Sequence, residues 1–123
     1  MKQILVVDDS KSMRHALRLV LDVEEEFEVC GEAVDGLEAI KKAKHLNPDV
    51  ILLDLAMPKL NGAEVACVLR RENPHAKIIV FTMYATSLGR DLAAVVGVDM
   101  VISKAEGLNY LMQCIHEVGG QPN

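Results

Sequence analysis

Four short apolar runs in this chain each end in a residue that can do chemistry. Ile4-Leu5-Val6-Val7 runs into Asp8-Asp9, and Val50-Ile51-Leu52-Leu53 into Asp54. Ile78-Ile79-Val80-Phe81 runs into Thr82, and Met100-Val101-Ile102-Ser103 into Lys104. Runs of this length, rich in β-branched residues, read as strands buried on both faces of a parallel sheet. Such sheets bind ligands beyond the carboxyl ends of their strands. Three acids, a hydroxyl and an ammonium scattered along the chain are therefore expected on one rim. That set suits a divalent cation and a phosphoryl group.

Between the runs, helical periodicity alternates with strand character. Met13, Ala16, Leu17, Val20 and Leu21 recur at helical spacing, with Ser10 or Ser12 as candidate N-cap. Phe27 to Ala33 reads as a second strand. Leu37, Ile40 and Ala43 mark a second helix that Asn47-Pro48 ends, and Asp49 to Leu53 forms the third strand. Pro58 and Asn61-Gly62 make a loop, with Asn61 as candidate cap of a helix carrying Val65, Val68 and Leu69 and stopped by Asn73-Pro74. Lys77 to Phe81 is the fourth strand. The next helix turns Leu88, Leu92, Val95 and Val96 inward and is closed by Gly97. Asp99 to Ser103 is the fifth strand, and Leu108, Leu111, Met112, Ile115 and Val118 mark the last helix. One domain over residues 1–118 is expected, followed by a linker-like tail, Gly119-Gly120-Gln121-Pro122-Asn123.

This alternation with short connections predicts an α/β fold with right-handed crossovers and helices on both faces of a parallel sheet. Five strands suit the doubly wound order 2-1-3-4-5, a flavodoxin-like (βα)5 three-layer sandwich. In that order the first and third strands are neighbours, which sets Asp8-Asp9 beside Asp54.

With 123 residues, half of them hydrophobic but only 3% aromatic, the core must be built from Val, Leu, Ile, Ala and Met. A net charge of −5 argues against nucleic-acid binding by this domain alone. No apolar stretch approaches the roughly 20 residues of a membrane span. Met1-Lys2-Gln3 shows no signal-peptide pattern. Cys30, Cys67 and Cys114 are far apart and odd in number, which suits reduced thiols and a cytoplasmic setting. His15, His45, His75 and His116 show no ligand spacing and read as surface residues, and Glu24-Glu25-Glu26 as a solvated loop.

One Asp before a helix is ordinarily a cap. Two adjacent acids beside a third repel one another, and a hard cation resolves the repulsion. Asp54 closes a buried aliphatic run, where desolvation costs free energy unless the acid is paired or coordinated. A carboxylate so placed can act as a nucleophile toward phosphorus. Thr82 alone reads as a β-branched strand residue and Lys104 alone as a surface cation. Their interest lies in the shared strand-end position, from which a hydroxyl and a positive charge reach phosphoryl oxygens.

Val7-Asp8-Asp9-Ser10, Leu53-Asp54-Leu55-Ala56-Met57-Pro58-Lys59-Leu60-Asn61-Gly62, Thr82 and Ser103-Lys104 together resemble the receiver domain of two-component response regulators, over nearly the whole chain. The order 2-1-3-4-5 is that of response regulators, and for this chain it is what the resemblance implies. The resemblance implies a phosphoacceptor switch, not an enzyme acting on separate substrates. Asp54 would receive the phosphoryl group from the phosphohistidine of a sensor histidine kinase. Magnesium would be held by Asp9, Asp54 and the backbone carbonyl of Ala56, with Asp8 acting through coordinated water. Lys104 and Thr82 would bind phosphoryl oxygens, and the change would pass to a downstream effector or attached output domain. Dimerisation on phosphorylation is common in the family. The helix holding Lys11, Arg14, His15 and Arg18, read from the sequence as a solvated face, helps dock the kinase in such proteins.

Two positions depart from the pattern. Val101 stands where many receivers carry an aromatic switch residue, with Tyr84 as a candidate substitute, and Ala105 stands where many carry proline. The segment Ser103 to Leu108 looks more like receivers attached to helix-turn-helix regulators. A haloacid dehalogenase-like phosphatase also uses a strand-end Asp and magnesium, but needs a second Asp at the position of Ala56. A flavin-binding flavodoxin-like protein would need a phosphate cradle where Asp8-Asp9-Ser10-Lys11 lies, and that segment is acidic and lacks glycine. An unphosphorylated interaction module on the same fold is a third reading, against which the intact acids and lysine argue without deciding.

Overall fold

A computed structural model describes residues 1–55, 62–83 and 96–119. Its elements are β1 (Lys2–Val7), α1 (Lys11–Asp22), β2 (Phe27–Ala33), α2 (Gly36–Leu46), β3 (Val50–Leu53), α3 (Gly62–Glu72), β4 (Lys77–Thr82), β5 (Met100–Ser103), a 3-10 turn (Lys104–Glu106) and α4 (Gly107–Gly119). The strands form one parallel sheet in the order β2-β1-β3-β4-β5, as expected for the doubly wound class.

Strand alternation divides the core between the two faces of the sheet. Ile4, Val6, Val50, Leu52, Ile79 and Phe81 point to one side, where they meet Leu17 and Leu21 of α1 and Leu111 and Ile115 of α4. Leu5, Val7, Ile51, Leu53 and Ile78 point to the other, against Ala39 and Ala43 of α2 and Val65, Ala66 and Leu69 of α3. β3 and the Ile4–Val7 part of β1 are almost fully buried because helices cover both faces.

Local chemistry sets the element ends. The Ser10 hydroxyl accepts from the Met13 N–H at 3.2 Å and caps α1, settling the choice between Ser10 and Ser12. Asp35 caps α2 by accepting from the Glu38 N–H at 2.9 Å. Asn47 ends α2 in the left-handed region at φ 51, a conformation Asn tolerates better than most residues. Asn73 follows α3 and returns two bonds to the Leu69 carbonyl, one from its backbone N–H and one from its side-chain amide.

Asp49 and Asp99, expected as first residues of β3 and β5, instead lie just outside those strands. The Asp49 carboxylate accepts from the Gln3 N–H and that of Asp99 from the Ile78 N–H, both at 2.7 Å. Each acid thus satisfies a backbone donor near the entrance of the neighbouring strand. Gly119, expected in the tail, is the last residue of α4. The expected cap Asn61, the inward positions Leu88, Leu92 and Val95, and the tail from residue 120 lie outside the described residues. Val96 is helical and packs on the second core cluster, and Gly97 follows at φ 83, consistent with its expected helix-ending role.

Gly62 opens α3 directly against the chain that leaves β3. A Cβ there would lie 2.5 Å from the Leu55 carbonyl oxygen and 2.6 Å from its Cα. Backbone cannot swing aside as a flexible side chain can. Gly62→Ala is therefore expected to lose about 1–3 kcal/mol of stability, read as a lower urea midpoint with an unchanged slope.

Candidate functional site

The site is assembled by parallel pairing at the carboxyl end of the sheet. Val7 is in register with Leu53, so the residues that follow them, Asp8 and Asp54, emerge side by side. The Asp54 N–H donates to the Val7 carbonyl at 3.0 Å and the Asp8 N–H to the Ala33 carbonyl at 3.1 Å, carrying the ladder one step past the strands. Thr82 ends β4 and pairs with Ser103, the last residue of β5. Lys104 follows at once, in the 3-10 turn that the Ser103 hydroxyl caps by accepting from the Ala105 N–H.

Asp8 is 2% exposed and Asp54 5%, whereas Asp9 faces solvent. Ligand oxygens of the three lie within 4.8 Å of one another. The Lys104 ammonium reaches over from the other end of the sequence, 2.8 Å from Asp8 Oδ2 and 3.1 Å from Asp54 Oδ2. The remaining Asp8 oxygen accepts from the Ser10 N–H at 2.9 Å. Asp8 is thereby fixed at both carboxylate oxygens, and its backbone carbonyl accepts from Arg14 at 2.8 Å.

Three carboxylates gathered around one ammonium leave the cluster negative. Hard oxygen donors at this spacing, one of them open to solvent, fit an octahedral cation that keeps several of its waters. Asp8, Asp9 and Asp54 are thus brought together as the sequence predicts. Thr82 is fully buried at the same end of the sheet. Ala56, the expected carbonyl ligand, and Tyr84, the candidate switch residue, lie outside the described residues. Val101 lies in β5, in register with Val80, and is half-buried.

The first helix departs from its expected solvated face. Arg14 is only 12% exposed in its side chain, and its Nε donates to Glu32 at 3.0 Å while its terminal nitrogen holds the Asp8 carbonyl. Arg18 donates to the other Glu32 oxygen, at 3.0 Å from Nε. Lys11 and His15 are exposed, as expected. The sequence does contain a signal for this network: Arg14 and Arg18 are four residues apart on one helix face, and Glu32 is an acid near the end of a strand. Of the four histidines, His116 also departs from a simple surface position. It lies 3.5 Å from Glu24 and 3.4 Å from Glu26 and packs its ring against Phe27.

Burial pushes the Lys104 ammonium toward a lower pKa, but hydrogen bonds and charge from Asp8 and Asp54 outweigh that and hold it above the ordinary lysine value. A group whose pKa rises on folding stabilises fully below its unfolded value, about 10.4 for lysine, and loses that contribution as pH climbs through the folded value. Lys104→Gln is expected to melt below the wild type at about neutral pH. The difference in urea midpoint should hold to about pH 9 and shrink only above about pH 10.5.

Comparison with known proteins agrees with this geometry. The family model for the response regulator receiver domain matches residues 4–116. A chemotaxis protein CheY from Halobacterium salinarum is 36% identical over 117 residues, covering 95% of this chain and 96% of that protein. The crystal structure of the response regulator domain of Thermotoga maritima CheB superposes with a TM-score of 0.89 at 30% identity, covering 100% of this chain and 99% of that one. A Pyrococcus abyssi protein-glutamate methylesterase/protein-glutamine glutaminase is 42% identical over 78 residues, which are 63% of this chain but 21% of that protein. The chain thus spans about a fifth of the length of the methylesterases it matches. With the family model covering nearly every described element, and strand order and acid cluster agreeing with it, the chain belongs to the response regulator receiver domains.

Proposed function

We propose that this domain accepts a phosphoryl group on Asp54 from the phosphohistidine of a sensor histidine kinase, in a magnesium-dependent reaction, and switches conformation to control a partner or output domain. The observation that carries this reading is the convergence of Asp8, Asp9 and Asp54 within 4.8 Å, with Lys104 bonded to two of them. Phosphoryl transfer asks a protein mainly for positioning and for neutralisation of charge on the equatorial oxygens. Asp54 supplies the nucleophile: one carboxylate oxygen forms the O–P bond as the P–N bond to the donor imidazole breaks. Lys104 is near enough to Asp54 to meet a phosphoryl oxygen once the carboxylate has become an acyl phosphate, and Thr82 supplies a hydroxyl from the next strand end. Asp9, Asp54 and the carbonyl of Ala56 would hold magnesium, with Asp8 acting through its coordinated water. The bound ion would add positive charge beside the transferring group and relieve the repulsion among the acids.

Phosphorylation of Asp54 turns one of the two carboxylates that hold Lys104 into an acyl phosphate, so the Lys104 bonds at the end of β5 would be redistributed toward the phosphoryl oxygens. That change supports a two-state switch running through Thr82, Lys104 and β5. Val101, in place of an aromatic, gives the switch a smaller moving part. The outputs follow the relatives: a stand-alone chemotaxis protein, a methylesterase and LuxR-family DNA-binding regulators all carry domains of this kind. A cytoplasmic setting fits such a partner set, and no described helix is long and apolar enough to cross a membrane.

Excess acetyl phosphate with magnesium is expected to add the mass of one phosphoryl group to the intact chain, and Asp54→Ala should gain none. Labelling that persisted in Asp54→Ala would overturn the assignment. Magnesium at millimolar concentration should raise the melting temperature, because the ion binds only the assembled acids. An unchanged melting curve would remove the metal site from the reading.

A further inference from the structure

Arg14 makes two contacts that its place on an amphipathic helix does not require. Its guanidinium bridges the Asp8 backbone carbonyl at 2.8 Å and the Glu32 carboxylate at 3.0 Å. Glu32 is held in turn: Arg18 donates to its second oxygen, and Lys42 donates to its backbone carbonyl. Burial pushes the Glu32 carboxyl up, but bonds and charge from Arg18 and Arg14 outweigh this and hold it below the usual glutamate range. Its stabilising contribution is therefore present above the ordinary glutamate value and lost as pH falls through the lowered one. The brace is charged throughout the neutral range.

The Asp8 carbonyl belongs to the peptide that joins Asp8 to Asp9. Its plane sets the direction in which the Asp9 side chain leaves the backbone. The Asp8 N–H is tied to Ala33 and its carboxylate to Ser10 and Lys104, so Asp8 is secured from several sides. Asp9 is exposed and follows directly. The Arg14 bond to the intervening carbonyl adds to these ties and limits rotation of that peptide on its Asp9 side.

We propose that Arg14, anchored by Glu32, is a positioning residue that aims Asp9 into the acid cluster and so sets the cluster's affinity for a divalent cation. This rests on the reading of the acids as a magnesium site. A planar guanidinium reaches the carbonyl and the carboxylate at once, whereas an ammonium on a flexible stem cannot reproduce that fork. The positive charge of Arg14 by itself would oppose cation binding, but Glu32 offsets it locally. Geometry and charge therefore predict opposite signs when Arg14 is replaced.

The test titrates magnesium chloride alone into the full chain and reads affinity by calorimetry, with melting temperature without metal as the measure of fold. Outer contacts to metal ligands are typically worth about tenfold or more in affinity. Arg14→Lys and Arg14→Gln should each weaken magnesium binding by on the order of tenfold. Glu32→Gln should shift it in the same direction, and the Arg14→Lys/Glu32→Gln double variant should fall no further than the worse single one. Tighter binding in Arg14→Gln with unchanged binding in Arg14→Lys would mean that Arg14 acts through charge, and would overturn the proposal. So would variants that melt lower yet keep wild-type affinity. Arg70→Gln cuts a distant network joining Arg70 to Asp99 and the Gly97, Pro74 and Ala76 carbonyls, and should lower melting alone. An equal loss of affinity there would mean general loosening and would also overturn it. A wild-type chain that bound no magnesium would refute the metal-site reading itself, whereas wild-type binding with unaltered Arg14→Lys would refute only the role of Arg14.

Discussion

The pairing of β1 with β3 is the constraint on which this site is built. It sets Val7 against Leu53 and delivers two acids to adjacent strand ends, with a third beside them. The arrangement opposes folding, because like charges are concentrated where water is partly excluded. Lys104 offsets it only in part, by bonding Asp8 and Asp54 while Asp9 faces solvent. On the proposed reading, function and stability compete at this rim, because the acids are kept charged in advance of their ligand.

The remainder of the fold supplies what the rim costs. Helices seal both faces of the sheet, and the alternating residues of β1 and β3 belong to two separate cores. The face toward α2 and α3 is alanine-rich, with Ala33, Ala39, Ala43, Ala66 and Ala76 buried together. Small side chains let those helices approach the sheet closely, and Gly62 continues this closeness up to the backbone beside Asp54. The acids thus sit on a tightly packed platform that resists spreading to relieve their repulsion.

Much of this was legible in the residues because strand runs and strand-end chemistry are local. The four apolar runs, the bounds of β2, the Ser10 cap and the stops at Asn47 and Asn73 all follow from neighbours in the chain. The acid cluster needed one non-local assumption, the adjacency of β1 and β3, which came from the known order of such sheets. Arg14 and Arg18 carried only a weak signal, their four-residue spacing, for the opposite reason. Long basic side chains on an amphipathic helix look solvated, and only the pairing of β1 with β2 brings Glu32 beneath them. Asp49 and Asp99 look like strand residues, yet they serve as acceptors for the neighbouring strand's backbone, a relation that exists only between strands far apart in sequence.

The site draws Asp8 and Asp54 from opposite ends of the stretch α1-β2-α2-β3, and Lys104 comes from fifty residues further on. None of these charges meets before the long crossovers have closed. The repulsion of Asp54 with Asp8 and Asp9 therefore exists only in chains where β1 and β3 have paired. A cation held by the assembled acids acts on those same chains. On the proposed magnesium reading, any part of the site still unformed in the folding transition state would let the ion lengthen the lifetime of the folded domain.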